Sequence, residues 1–497
     1  MSAPEKPRFR GSAVVVLLRG HGLDLETWWV RRSDAVSVMP GFDAFPGGTI
    51  EPADAELPVE GATDDGERVL RACAIREAFE EAGVLVALAE HPAGCTPERL
   101  VAARQRLLGG EVGFPALAWE CGWRFRADLL TFAGRWHTPA ISPLRYDTTY
   151  FLARAATGQE PEAHTAELAA GEWIRPLEAI DRYHEGRATF APPILHTLLA
   201  LAEGEDDLAG RLAEAPELAA WPVRRIEFKW GVVLHPMKSR PLPPATHTNA
   251  YLVGEREMAL VDPGSAEPGE LDALFTLIET LQIEGRRLKV IVLTHHHSDH
   301  IGGALAVRRR WRVPVAAHAE TARHVRVDHV LEDGERIPLA GGIGDWDLRV
   351  LHTPGHASGH LCLLHERTKS LFCGDLVPGG RGTVIIDPPD GDMVAYLASL
   401  ERMLVEPVET LFPSHGPPQG AAPRRIRGLI EHRLRREARV HAALTDTPQE
   451  LPALVEQVYT DTARELWPYA ERTLLAHLVK LECAGRAQRE GERWRLG

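Results

Sequence analysis

Seven residues, Thr294-His295-His296-His297-Ser298-Asp299-His300, leave the end of a compact apolar run at 289–293, and this junction restricts the fold more than any other stretch of the chain. A short apolar run reads as a buried strand, and the loop beyond a strand end is a rigid platform that turns several side chains toward one point. His295 and His297, two apart, can converge on one metal ion, while Asp299 and His300 can face a second beside it. The same chemistry recurs after later apolar runs, at Thr353-Pro354-Gly355-His356, Cys373-Gly374-Asp375 and Pro413-Ser414-His415-Gly416. Strands expected at 250–253, 258–261, 289–293, 313–317 and 361–364 alternate with helices, the pattern of a layered α/β domain.

Neutral imidazole and carboxylate suit Zn²⁺, and Mn²⁺ or Fe²⁺ with less preference. Two such ions side by side hold a hydroxide and polarise the bond it attacks, and a carboxylate between them, here Asp375, offsets their repulsion. One His-rich turn alone also occurs as a solvated loop; four segments together argue against that. His296 and His318 read as structural or exposed. His360, four beyond His356, reads equally as support for a ligand or as packing.

The set His295-x-His297-x-Asp299-His300, His356, Asp375 and His415 resembles the metallo-β-lactamase fold hydrolases over residues 223–423. The resemblance implies His295, His297 and His356 on one metal, Asp299, His300 and His415 on the other, and Asp375 shared, with Asp299 also catalytic. Asp262 matches that fold's early supporting aspartate. No cysteine stands at a ligand position, which puts the chain nearer the glyoxalase II-like and ribonuclease-like members than the antibiotic-destroying lactamases.

Upstream, a helical pattern at 69–82 places Glu77, Glu80 and Glu81 on one face with Arg76 beside them. Crowded carboxylates repel, and a divalent cation, Mg²⁺ for hard oxygen ligands, offsets the repulsion; Arg76 can hold one of them in place and Gly83 ends the helix. With Phe45-Pro46-Gly47-Gly48, read as a turn, this resembles the Nudix box, G-x5-E-x7-R-E-U-x-E-E-x-G-U. The resemblance implies diphosphate cleavage with Mg²⁺ or Mn²⁺, catalytic roles for Arg76, Glu80 and Glu81, metal binding by Glu77, Glu80 and Glu81, and substrate contact at Gly47 and Gly48. Asp54 stands where the first glutamate is expected, and residues 55–75 replace a seven-residue spacer. That insertion, with Trp136-His137-Thr138-Pro139 and Arg145-Tyr146-Asp147-Thr148, resembles the coenzyme A diphosphatase-like branch. Glu167 and Glu172 are candidate general bases. An acidic surface helix is the alternative for the glutamates alone.

A chain of 497 residues exceeds one ordinary core. We expect α/β and α+β domains: a Nudix α/β/α sandwich at 9–202, a connector at 203–222, a metallo-β-lactamase αββα sandwich at 223–423, an Arg-rich helix at 424–445 and a winged-helix-like domain at 446–497. The tail resembles that appended to lactamase-beta-2-like enzymes. The Arg-rich helix, with Arg433, Arg435 and Arg436, reads as a solvated face or as an RNA contact. A net charge of −14 argues against broad nucleic-acid binding. Six cysteines without a CxxC pair and no membrane-length apolar run fit an unexported cytoplasmic protein. The expected activity is a bifunctional hydrolase with small-molecule substrates. One site would take a coenzyme A-type or nucleoside-diphosphate substrate and the other a thioester or phosphodiester. The alternative is a single-stranded RNA endonuclease whose Nudix domain is a weak binding or regulatory module. The oligomeric state stays open.

Overall fold

In Arg10–Arg19 alternate side chains are claimed by two cores, Val15 and Leu17 by one and Val16 and Leu18 by the other, so this strand lies at the middle of a sheet covered on both faces. The computed structural model describes residues 9–497 except 91–95, 140, 143, 157, 164, 214–224, 242, 244, 343, 345 and 381. The chain divides into two compact units between Trp230 and Gly231.

The first unit is an α/β/α sandwich. Arg10–Arg19 pairs in parallel with Tyr146–Arg154 and antiparallel with Glu26–Arg32 and Gly47–Thr49. The expected turn at Gly47–Gly48 is therefore a strand. The reason is close approach: a β-carbon on Gly47 would lie 2.5 Å from the Ala13 carbonyl oxygen, and one on Gly48 would lie 2.2 Å from Glu77 Oε1. The helix Asp65–Ala82 covers one face, capped by the Asp64 side chain and closed by Gly83 at φ 72°. Its Phe79 packs edge-on against Trp123, at 5.2 Å between centroids, and full burial of such a ring is worth roughly 2–3 kcal/mol. The long spacer forms the 3-10 turn Pro52–Glu56, the strand Val59–Glu60 beside Phe125–Arg126, and the first turns of that helix. Pro176–His184, Pro192–Ala202 and Leu208–Ala213 cover the other face. Leu208 and Leu212 are buried there, so the start of the expected connector is folded structure; residues 214–222 of it lie outside the described residues.

The second unit stacks two sheets between helices, an αββα sandwich. One sheet runs through Val232–Lys238, His247–Val253, Glu257–Val261, Arg287–Val292, Val315–Ala317 and His329–Val330. The other runs through Arg336–Leu339, Trp346–His352, Leu361–His365, Ser370–Gly374 and Thr410–Pro413. Tyr251 joins them, its ring 5.4 Å from Phe372 and 5.8 Å from Phe412. Pro268–Ile283 and Ala304–Trp311 cover the first sheet, Met393–Met403 and Ala422–Ala443 the second. Beyond them Leu451–Val458, Trp467–Cys483 and a three-stranded sheet ending in Ala487–Glu490 and Arg493–Leu496 enclose Trp494 as a winged helix. Among the described residues no helix is long and apolar enough to cross a membrane.

The Arg-rich helix is neither a solvated face nor an open RNA contact at Arg433 and Arg436, which are buried. Arg433 donates to the Val384 carbonyl and lies over the Tyr396 ring; Arg436 donates to the Val458 carbonyl at 2.7 Å and pairs with Asp461. An amphipathic helix docked on a core places some of its arginines inward, where backbone carbonyls satisfy them. Arg435 alone of the three is exposed.

Candidate metal centres

In the second unit four strand ends meet. Arg287–Val292 delivers Thr294 to His300, Trp346–His352 delivers His356, Ser370–Gly374 delivers Asp375 and Thr410–Pro413 delivers His415. Three imidazoles form one group: His295 Nε2 and His356 Nε2 lie 2.9 and 3.0 Å from His297 Nδ1. Hydrogen bonds on the far side of two rings fix their tautomers. The Thr294 hydroxyl donates to Asp262 and so accepts from His295 Nδ1–H, while His356 Nδ1–H donates to the Ile385 carbonyl at 2.8 Å. Both rings, when neutral, therefore aim an Nε2 lone pair at His297. Burial, then the neighbouring imidazoles, hold His295 well below the ordinary histidine range, and burial with His356 and His300 brings His297 down to about 3. Two lone pairs converging on a third neutral imidazole make a candidate cation site.

A second group adjoins it. Asp299, His300 and His415 have ligand atoms within 4.8 Å of one another. His300 Nδ1–H donates to Asp262 at 2.8 Å and His415 Nδ1–H to the His247 carbonyl at 2.9 Å, which leaves each Nε2 for the centre. His300 Nε2 is buried and has no hydrogen-bond partner. Asp375 lies between the groups, 3.4 Å from His356 Nε2, 3.4 Å from His415 Nε2 and 3.7 Å from His300 Nε2. Burial opposes a charge on His415, but Asp375 and Asp299 outweigh it and push the ring up to about 10. His295 and His300 form the buried floor, and the partly exposed His297, Asp299, Asp375 and His415 leave one side open.

All seven residues expected at this centre are brought together. Asp262, at φ 47°, joins two of the contributing loops by accepting from the Thr294 amide and hydroxyl, His300 and Ser414. His360 accepts from the Asp375 amide at 3.0 Å and so supports a ligand loop. His296 stacks on His324 at 4.0 Å and lies 3.8 Å from Asp390; His318 stacks on His352 at 4.2 Å. Thr294 and Ser414 carry supporting bonds the sequence reading passed over, though each adjoins a histidine ligand candidate. The Ile385 and His247 carbonyls left no side-chain signal at all.

In the first unit Arg76 draws the acids together. It bonds Asp54 at 2.7 and 3.1 Å, Glu77 at 2.8 Å and Glu80 at 3.1 Å. Asp54 is thus Arg76's anchor, and it also accepts from the Glu51 amide. Glu81 accepts from the Gly47 amide at 2.8 Å. Burial raises Glu77 to about 8 against the pull of Arg76, and raises Glu81 to about 7 against the Gly47 amide and Arg32. Among the described residues, the groups whose ligand atoms all come within 4.8 Å lie in the second unit, and Glu77, Glu80 and Glu81 are not one of them. Glu167 acts on Glu81 electrostatically. Glu172 does not belong to the site: strand alternation turns it beside Trp29, on the opposite face of the sheet, where it pairs with Arg182.

Comparison with known proteins follows the same division. Residues 243–415 match the metallo-beta-lactamase superfamily, 8–98 the NUDIX domain, 60–201 the NUDT19 Nudix domain and 451–494 the beta-lactamase associated winged helix domain. A beta-lactamase-like protein 2 homolog of Drosophila melanogaster is 31% identical over 256 residues, 48% of this chain and 83% of that protein. An atrochrysone carboxyl ACP thioesterase of Claviceps purpurea is 30% identical over 232 residues, 46% of this chain and 70% of that protein. Among solved structures, a NUDIX hydrolase from Alicyclobacillus acidocaldarius has 32% identity over 42% of this chain and 99% of that one, with a TM-score of 0.37. The chain belongs to the metallo-beta-lactamase superfamily, and it is a hydrolase that joins that domain to a Nudix domain and to a beta-lactamase associated winged helix domain.

Proposed function

We propose that the second unit hydrolyses a thioester of the acyl-coenzyme A or acyl-carrier type, and that the first cleaves a coenzyme A-like nucleoside diphosphate. The observation that carries the reading is the pair of donor groups meeting at Asp375, with His295 and His356 fixed as lone-pair donors and His300 Nε2 buried without a hydrogen-bond partner. His295, His297 and His356 would hold one divalent ion, Asp299, His300 and His415 the other, and Asp375 would serve both; Zn²⁺ suits this donor set, with Mn²⁺ or Fe²⁺ as alternatives. Bound there, the pair would supply a nucleophilic water at neutral pH and polarise the scissile carbonyl. The chain's own residues keep His295, His297 and His356 neutral and orient the rings of His300 and His415. Asp299 would present a carboxylate at the open side, able to accept a hydrogen bond from water there. The thioester is favoured over RNA by the thioesterase-named relative and by the burial of Arg433 and Arg436.

For the first unit, Glu77, Glu80 and Glu81 would hold Mg²⁺ or Mn²⁺, which would neutralise diphosphate charge as the bond breaks. The donor set fits: burial of Glu77 and Glu81 opposes their ionisation, and a divalent cation offsets that cost. The bare backbone at Gly48 leaves room for the Glu77 carboxylate, so that a diphosphate could meet a cation held there, and Glu167 is the remaining candidate base.

The test is a substrate screen with each site disabled in the full chain. Asp375→Asn should abolish thiol release from acyl-coenzyme A while diphosphate cleavage of coenzyme A survives. Loss of RNA cleavage in that variant, with wild type inert toward thioesters, would replace the thioester assignment by the nuclease one.

A further inference from the structure

The segment 382–390 runs past the metal centre and is gripped from its far side by the C-terminal helices. Its Ile385 carbonyl accepts from His356 Nδ1–H at 2.8 Å, the bond that sets this ring's tautomer. On either side of Ile385 the backbone is tied to the tail. Arg433 donates to the Val384 carbonyl, and the Ile386 amide donates to the Thr473 hydroxyl at 3.3 Å. Arg425 donates to the Gly382 carbonyl at 2.9 Å, and Arg472 pairs with Asp387 at 3.3 Å. Val384, Ile386 and Ala476 share one core with Tyr396, the ring beneath Arg433. At its end Asp390 accepts from the Ser358 amide at 3.1 Å and hydroxyl at 2.6 Å, two residues past His356.

We propose that Arg433 and Thr473 are positioning residues for the metal centre: the helices Ala422–Ala443 and Trp467–Cys483 clamp residues 384–386 so that the Ile385 carbonyl holds His356 with its Nε2 lone pair facing His297. The clamp rests on the reading of His356 as a metal ligand. Its consequence is local. Loosening residues 384–386 frees the His356 ring to rotate or change tautomer, which weakens the ion held with His295 and His297. The ion on the other side keeps Asp299, His300 and His415, whose supports run through Asp262 and the His247 carbonyl. Partners one step beyond a ligand commonly change metal affinity by about 10–100-fold.

The experiment uses full-length, Zn²⁺-loaded protein and follows zinc release to a colorimetric chelator. Thr473→Val removes the acceptor for the Ile386 amide with little change in volume; Thr473→Ser keeps it; Arg433→Lys shortens the reach to Val384 and keeps the charge. Release from wild type should show two ions. Thr473→Val and Arg433→Lys should each speed the loss of one ion by about tenfold and leave the other at its wild-type rate, with Thr473→Ser unchanged. Nitrogen-detected NMR of the metal-free wild type should find His356 protonated at Nδ1, a readout that requires no variant to fold. Wild type that binds fewer than two ions would remove the metal-site reading and the clamp with it. Wild type with two ions, and variants that release both at unchanged rates or both faster together, would overturn the clamp alone, as would a His356 protonated at Nε2.

Discussion

Asp262 accepts a 2.8 Å hydrogen bond from His300 Nδ1–H, and the opposite nitrogen of the same buried ring has no hydrogen-bond partner. The aspartate thereby fixes the orientation of the imidazole and leaves Nε2 facing the centre. It also accepts from Thr294 and Ser414, so one side chain sets the spacing of the loops that carry His295, His300 and His415. Its φ of 47° is a conformation that Asn shares with Asp.

Asp262→Asn should therefore fold but hold metal poorly. The amide cannot accept from Thr294, His300 and Ser414 as the carboxylate does. Equilibrium dialysis should find affinity lower by about 10–100-fold for the ion on His300. Wild-type affinity would show that the backbone alone orients that ring.

Glu80→Gln with Glu81→Gln should remove Mg²⁺-dependent coenzyme A diphosphate cleavage and leave thioester hydrolysis unchanged. The two sites belong to different compact units with separate donor sets. Release of adenosine 3′,5′-bisphosphate, followed chromatographically, checks the first activity.

Arg76→Ala should destabilise the first unit. Asp54 is buried against Arg76, and removing the guanidinium strands that carboxylate in the interior. Breaking a buried pair in this way costs about 3–5 kcal/mol, measurable as a lower urea midpoint for the transition of this unit. An unchanged midpoint would mean that the acid relaxes to solvent.

Asp43 gives a pH test away from both centres. Burial raises its carboxyl to about 6, against Arg31, the Thr189 amide and Lys229. A raised folded-state pKa means that the native state binds the extra proton. The contribution is complete below about 4 and is lost as pH rises through about 6. Asp43→Asn should remove that part of the slope and stabilise the first unit at pH 7 by about 1–3 kcal/mol. Parallel stability–pH curves for the two proteins would contradict the assignment.

The metal-centre residues were legible because a His or Asp directly after an apolar strand run is readable one segment at a time. Order along the chain then places them in one fold. What escaped was chemistry carried by backbone. The Ile385 carbonyl orients His356 with no residue-type signal, and Gly47–Gly48 read as a turn because glycine marks both turns and close approach. Arg433 and Arg436 misled for a related reason. Charge alone does not say which face of a helix is docked, and only the contacts of Ala422–Ala443 with the core reveal it. Glu172 failed on strand parity, since the choice of face depends on which neighbour it pairs with.

The most direct test of the central claim is anomalous diffraction from crystals of the protein grown with Zn²⁺. We predict two zinc peaks flanking the Asp375 carboxylate, one within bonding reach of His295, His297 and His356, the other of Asp299, His300 and His415. A single peak, or none at this cluster in a well-ordered crystal with zinc bound elsewhere, would contradict the account.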